Sequence, residues 1–198
     1  FTVVAQHEDV VAVTFNQPVD YVRGDFKVNE SSYGETFPLE VLSCTYSLDR
    51  TIAYLSLNGY MRNNTTYKIS VDGVTNPVSI TPRFGTPNSA EVTYYSLGDK
   101  NKAYVMDSSS MPFEYSTELS VDLYVNGVRV TNNYIDSGDL EFETVGNSTG
   151  NIELIDYNLY PYSANSSIRV RGKWTYWNGS KPIELTTPVK TIVGEKHA

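Results

Sequence analysis

The chain has 198 residues, 40% apolar and 19% charged, with 16 tyrosines and a formal net charge of −8. Its wealth of Tyr, Thr, Ser and Asn suits exposed β-sheet better than long helices or disorder. Both halves are net acidic, which excludes nucleic-acid phosphate as a whole-domain ligand and leaves a cationic or calcium-bridged partner open.

In chain order, the first strong pattern is Val11-Ala-Val-Thr-Phe15-Asn-Gln-Pro-Val-Asp20. Val11, Val13 and Phe15 fall on one face of a pleated strand, and Pro18 with Asp20 marks the turn that follows. Ser47-Leu-Asp-Arg-Thr-Ile-Ala-Tyr-Leu-Ser-Leu57 predicts a second strand burying Ala53, Leu55 and Leu57. Tyr67-Lys-Ile-Ser-Val-Asp-Gly-Val74 predicts a third, with Tyr67, Ile69 and Val71 inward and Asp72-Gly73 as its end. Together these segments read as half-buried antiparallel sheet. The pattern, spanning about residues 1 to 80, resembles the bacterial immunoglobulin-like domains found in tandem in surface-layer and other cell-wall proteins. That resemblance implies a β-sandwich with a structural role on the cell surface, and it brings no active site with it.

Thr81-Pro-Arg-Phe-Gly-Thr-Pro-Asn-Ser-Ala90 concentrates breakers between strand-rich regions and reads as a stiff linker. The expected organisation is therefore all-β: two tandem immunoglobulin-like β-sandwich domains, residues 1–85 and 86–198. In the second, Leu123-Tyr-Val-Asn126-Gly127-Val-Arg-Val130 and Trp174-Thr-Tyr-Trp-Asn178-Gly179-Ser-Lys181 carry Asn-Gly pairs, which favour type I′ hairpin turns. Leu119, Val121, Leu123 and Val125 form the inward face before the first turn. Ile168, Val170 and Trp174 do so before the second, with Gly172 read as a bulge.

One charge pattern singles out a surface. No Lys or Arg occurs between Val130 and Arg169, whereas Asp136, Asp139, Glu141, Glu143, Glu153 and Asp156 do. Asp139, Glu141 and Glu143 line one face of a strand, and Arg169, Arg171 and Lys173 line one face of another. If these strands pair, the rows form an intramolecular ladder; if they do not, Arg169, Arg171, Lys173 and Glu143 are candidates for an interface with another subunit. Asp136, Asp139 and Glu141, around the turn glycine Gly138, also offer hard oxygen ligands to calcium, without EF-hand spacing. No other cofactor is implied.

The aromatic group Trp174, Tyr176, Trp177, Tyr157, Tyr160 and Tyr162 admits stacking on cell-wall carbohydrate, although alternation sets Trp177 opposite Trp174 and Tyr176, and core packing is the favoured reading. His7 and His197 read as solvated surface histidines, so neither is a convincing base. Cys44, the single cysteine, cannot form an internal disulfide and reads as a small buried apolar residue, which favours a bacterial exported protein over a eukaryotic one. Six Asn-X-Ser/Thr sequons, at Asn29, Asn63, Asn64, Asn147, Asn165 and Asn178, arise readily by chance in so Asn- and Thr-rich a chain. No apolar run reaches the roughly 18 residues of a membrane span, and a start at Phe1 reads as a piece cut from a longer exported protein. The functional expectation is a non-enzymatic, extracellular module of a surface-layer protein. It would pack against neighbouring domains of its own chain and against copies of itself in a lattice; the alternative is a carbohydrate-binding or adhesive module.

Overall fold

The computed structural model describes residues 1–32, 34–106 and 116–197. The chain divides into two compact units, Phe1–Thr86 with Val128–Asn133, and Pro87–Gly127 with Tyr134–Ala198. Both are all-β with antiparallel sheets. The division differs from the continuous one read from the sequence in two respects: the boundary falls one residue later, after Thr86, and the six residues Val128–Asn133 join the first unit rather than the second.

The first unit contains β1 (Thr2–His7), β2 (Val10–Thr14), β3 (Phe26–Ser32), β4 (Glu35–Leu39), β5 (Val41–Tyr46), β6 (Ile52–Leu57), β7 (Thr66–Val71) and β8 (Val78–Ile80). They form two sheets, ordered β1-β2-β6-β5 and β4-β3-β7-β8. Alternation places Val11 and Val13, then Ala53, Leu55 and Leu57, on the inner face of one sheet. Phe26, Val28, Tyr67, Ile69 and Val71 come from the other, and all join one buried cluster. Fully burying each larger aliphatic side chain contributes about 1.5–3 kcal/mol. Phe15 lies one residue beyond β2, half-buried, its ring centroid 5.8 Å from Phe1 and 5.6 Å from Tyr21.

Cys44 departs from its expected burial. It lies on the edge strand β5, where the pairing with β6 shifts between Val41 and Ser43, and its side chain is only half-buried against the core. Burial still raises the pKa of its thiol, which keeps it protonated and unreactive at neutral pH.

The second unit begins with β9 (Ser89–Ser96), β10 (Asp99–Lys100) and β11 (Thr117–Val125). After the short strand β12 (Val128–Arg129) and a helical turn at Thr131–Tyr134 it continues with β13 (Gly138–Thr144), β14 (Ile152–Ile155), β15 (Asn158–Pro161), β16 (Ser167–Trp177), β17 (Pro182–Thr186) and β18 (Lys190–Val193). One sheet runs β10-β9-β11-β15-β14. The other is β13-β16-β17, with β18 also paired to β16. Val92, Leu119, Ile152 and Leu159 of the first sheet share a core with Ile168, Val170 and Ile192 of the second.

Asn126 and Gly127 take φ of 49° and 85°, the positive values a type I′ turn requires. The second Asn-Gly pair behaves differently. Trp177 pairs with Pro182, so four residues connect β16 to β17, and Asn178 is absent from the positive-φ residues. Instead the Asn178 side-chain oxygen accepts hydrogen bonds from the backbone N–H groups of Ser180 and Lys181, both at 2.9 Å, and this local acceptor shapes the turn.

Gly172 is not a bulge. Its pairing with Phe142 lies within an unbroken register between β13 and β16, and a Cβ there would approach Phe142 Cε1 to 2.9 Å and Val121 Cγ1 to 3.1 Å. The glycine makes room for core side chains. It also sits where the β16 edge changes partner from β18 to β17, and Thr187 bridges the change by donating to and accepting from the Gly172 backbone at 2.9 Å.

Candidate functional site

The charged rows meet on the outer face of the β13-β16-β17 sheet. Antiparallel register sets Glu143 opposite Arg171, Glu141 opposite Lys173, and Asp139 opposite Thr175. Alternation keeps these side chains away from the core face that holds Val170 and Trp174. Arg171 bonds Glu143 through two guanidinium nitrogens, the Nε at 2.7 Å. Lys173 passes over its direct neighbour Glu141 and reaches Glu184 of β17 instead, at 3.6 Å. Arg169 lies opposite Thr191 on β18, and on the β13 side its carbonyl accepts from Val145, so no acid faces it. The ladder is thus displaced by one rung. Among the described residues, the side chains of Asp136, Asp139, Glu141 and Arg169 make no ion pair or hydrogen bond.

Two of the shallow hollows on this unit involve the charged rows. One, of about 320 Å³, lies over Glu141, Glu143, Arg171, Lys173 and Glu184. The other, of about 330 Å³, is lined by Asp136, Ser137, Asp139, Thr175, Trp177 and Pro182, among others. Neither is an enclosed cleft. The three calcium candidates fall on two elements, Asp136 on the 3-10 turn Ile135–Ser137 and Asp139 and Glu141 on β13. No group of three His, Cys, Asp or Glu side chains converges among the described residues.

The aromatic group divides between core and surface. Trp174 is fully buried, stacks on Tyr176 at 4.6 Å and donates its indole N–H to the Ile135 carbonyl at 3.2 Å. Gly138 lies against it: a Cβ there would come within 2.5 Å of Trp174 Cε2, so the residue read as a turn glycine is required by the indole. Tyr160 packs against Tyr104 and Met106, whereas Tyr157, edge-on to Phe142 at 6.3 Å, is 50% exposed and Trp177 is 65% exposed. Of the two tryptophans, only Trp177 is open to a ligand.

Of the two histidines, His197 is exposed, as the sequence suggests, whereas His7 is not a free solvated group. His7 is half-buried and its Nδ1 accepts from the Arg129 backbone N–H at 2.9 Å, while His197 lies edge-on to Tyr104 with centroids 4.6 Å apart. His7 borders a polar centre of the first unit that sequence reading missed. Glu8 is 1% exposed. One of its carboxylate oxygens accepts from the Asn132 backbone and side-chain nitrogens, both at 2.8 Å; the other accepts from the same groups of Asn133 at 3.2 and 2.9 Å. Asn133 also donates to the Met61 carbonyl at 3.0 Å and accepts from the Asn63 N–H at 2.9 Å, and Arg129 pairs with Asp9. Four N–H donors in place of a cation satisfy this buried carboxylate. Nothing in the local sequence signals it, since Glu8-Asp9 between two strands has the composition of an exposed turn.

No protein-family model matches the chain, and no curated protein matches it. Among solved structures, it is similar to crystal structures of a bacterial S-layer protein, SbsC. The N-terminal part of SbsC aligns over 99% of this chain and 43% of its own, with 18% identity and a TM-score of 0.44. The longer fragment rSbsC(31-844) aligns over 99% and 25%, with 17% identity and a TM-score of 0.45. Domains 1-6 of SbsC align over 98% and 25%, with 18% identity and a TM-score of 0.44. The chain therefore spans less than half the length of each of these S-layer fragments.

Proposed function

We propose that this chain is a non-catalytic structural module of a bacterial surface-layer protein, packing with copies of itself into an extracellular coat. The supporting observation is the displaced charge ladder. Arg171 and Lys173 are engaged within their own sheet, but Arg169 on one side and Asp139 with Glu141 on the other remain exposed and unpaired on the same unit. Complementary charges of this kind add little net affinity, yet they fix register between subunits and penalise wrong orientations. Calcium enters this reading as a bridge between acidic faces, completed by a second copy.

Arg169 is the informative probe because reversing it breaks no ion pair within the described chain. Arg169→Glu in the longer parent protein should leave the melting temperature unchanged while weakening ordered assembly, seen as loss of lattice by electron microscopy. The effect should shrink in high salt, which screens exposed charges. Lattices of wild-type order from the variant, with and without a calcium chelator, would refute the role assigned to this face.

A further inference from the structure

The hollow beside Trp177 combines features that the charge ladder does not explain. An indole at the end of β16 is left 65% exposed, which costs apolar hydration, and Pro182 is its cross-strand partner. Around it stand Asp136, Asp139, Ser137 and Thr175, whose side chains make no hydrogen bond or ion pair with any described residue. An aromatic surface ringed by unengaged hydrogen-bonding groups in a concave patch is a binding-site arrangement: the apolar surface supplies contact and the polar groups supply orientation.

We propose that this hollow is a subsite for one ring of a neutral hexopyranose oligosaccharide, with the Trp177 indole as stacking platform and the Asp136 and Asp139 carboxylates accepting from sugar hydroxyls. A pyranose ring presents an apolar C–H face to an indole and a rim of hydroxyls that both donate and accept. The carboxylates can only accept, and the Ser137 and Thr175 hydroxyls can do either, so the lining matches that rim. Hydroxyl-to-carboxylate bonds are charge-assisted and therefore the stronger kind. Two uncompensated carboxylates exclude uronic-acid and phosphate-bearing saccharides. A cationic side chain would satisfy the carboxylates, but it would leave the two hydroxyls without an acceptor and is the less complete match. The inference does not rest on the assembly reading, because its test uses the 198-residue chain by itself.

The chain is titrated with chitotriose, cellotriose, mannotriose and β-1,4-galactotriose, following tryptophan fluorescence and binding heat. Saturable binding of at least one trisaccharide is expected. Trp177→Ala should weaken it at least about tenfold, the equivalent of 1.4 kcal/mol. Trp177→Phe should weaken it less, and Asp139→Asn should weaken it severalfold by removing the charge from one acceptor. The emission of buried Trp174 reports whether each variant remains folded. Absence of binding to all four sugars, binding indifferent to Trp177→Ala in a folded variant, or binding of tri-arginine in place of the sugars would each overturn the proposal.

Discussion

Removing the Asn133 side chain tests the buried Glu8 centre most directly. Its amide donates to Glu8 at 2.9 Å and to the Met61 carbonyl at 3.0 Å, and it accepts from the Asn63 N–H at 2.9 Å. A hydrogen bond to a charged group contributes about 1.5–3 kcal/mol and a neutral one about 0.5–1.5 kcal/mol. Glu8 and Met61 are almost fully buried, so water cannot readily replace what Asn133→Ala removes. Half-burial of Asn133 itself allows some relaxation, which brings the expected loss to about 2–4 kcal/mol. Asn132→Ala is the internal control. Asn132 is exposed, only one of its two bonds to Glu8 comes from the side chain, and its removal should cost about 1 kcal/mol or less. Both tryptophans lie in the second unit, so fluorescence is blind to this centre. Denaturation is better followed by circular dichroism, with hydrogen exchange at the Asn63 amide as the local readout. In Asn133→Ala that amide should lose protection, and in Asn132→Ala it should keep it. Equal costs for the two variants, or an Asn63 amide still protected in Asn133→Ala, would refute the reasoning.

Gly138→Ala should destabilise the second unit by about 1–3 kcal/mol, the cost of overpacking, because the new methyl meets the Trp174 ring at 2.5 Å and the Thr175 carbonyl at 2.7 Å; an unshifted tryptophan-monitored transition would contradict this. Arg171→Glu should cost up to about 1 kcal/mol, since both partners are substantially exposed, and Glu143→Arg added to it should restore stability at low salt; failure of the double reversal to recover would show that the pair contributes nothing. Burial, with the Cys44 thiol beside it, pushes the Tyr46 hydroxyl up to about 12, where it donates to the Tyr21 carbonyl at 2.6 Å. An acid that holds its proton more tightly when folded contributes stability that is complete below its unfolded pKa of about 10 and is lost as pH rises towards the folded value. Tyr46→Phe should therefore flatten the alkaline loss of stability between those limits, and superimposable pH profiles would count against it.

What the sequence by itself determined are features set by neighbours along the chain. Period-two alternation assigned the inward faces at Val11 and Val13, at Ala53, Leu55 and Leu57, at Tyr67, Ile69 and Val71, and at Leu119, Val121 and Leu123, because a strand's pleat fixes side-chain direction whatever lies opposite. The Asn126-Gly127 turn was legible for the same reason, since positive φ is a local demand. The charge rows were visible as rows. Only the tertiary structure decided their partners: which acid meets which base depends on register between strands, and a second neighbour, β17, drew Lys173 to Glu184. Gly138 and Gly172 looked like turn and bulge glycines until the side chains packed against them were in place. The Glu8 centre was the least legible, because its donors lie 124 and 125 residues away and a carboxylate between two strands carries no mark of burial. Strand faces follow from covalent geometry within a few residues, whereas registers, close approaches and buried polar partners follow from contacts that exist only after the chain has closed on itself.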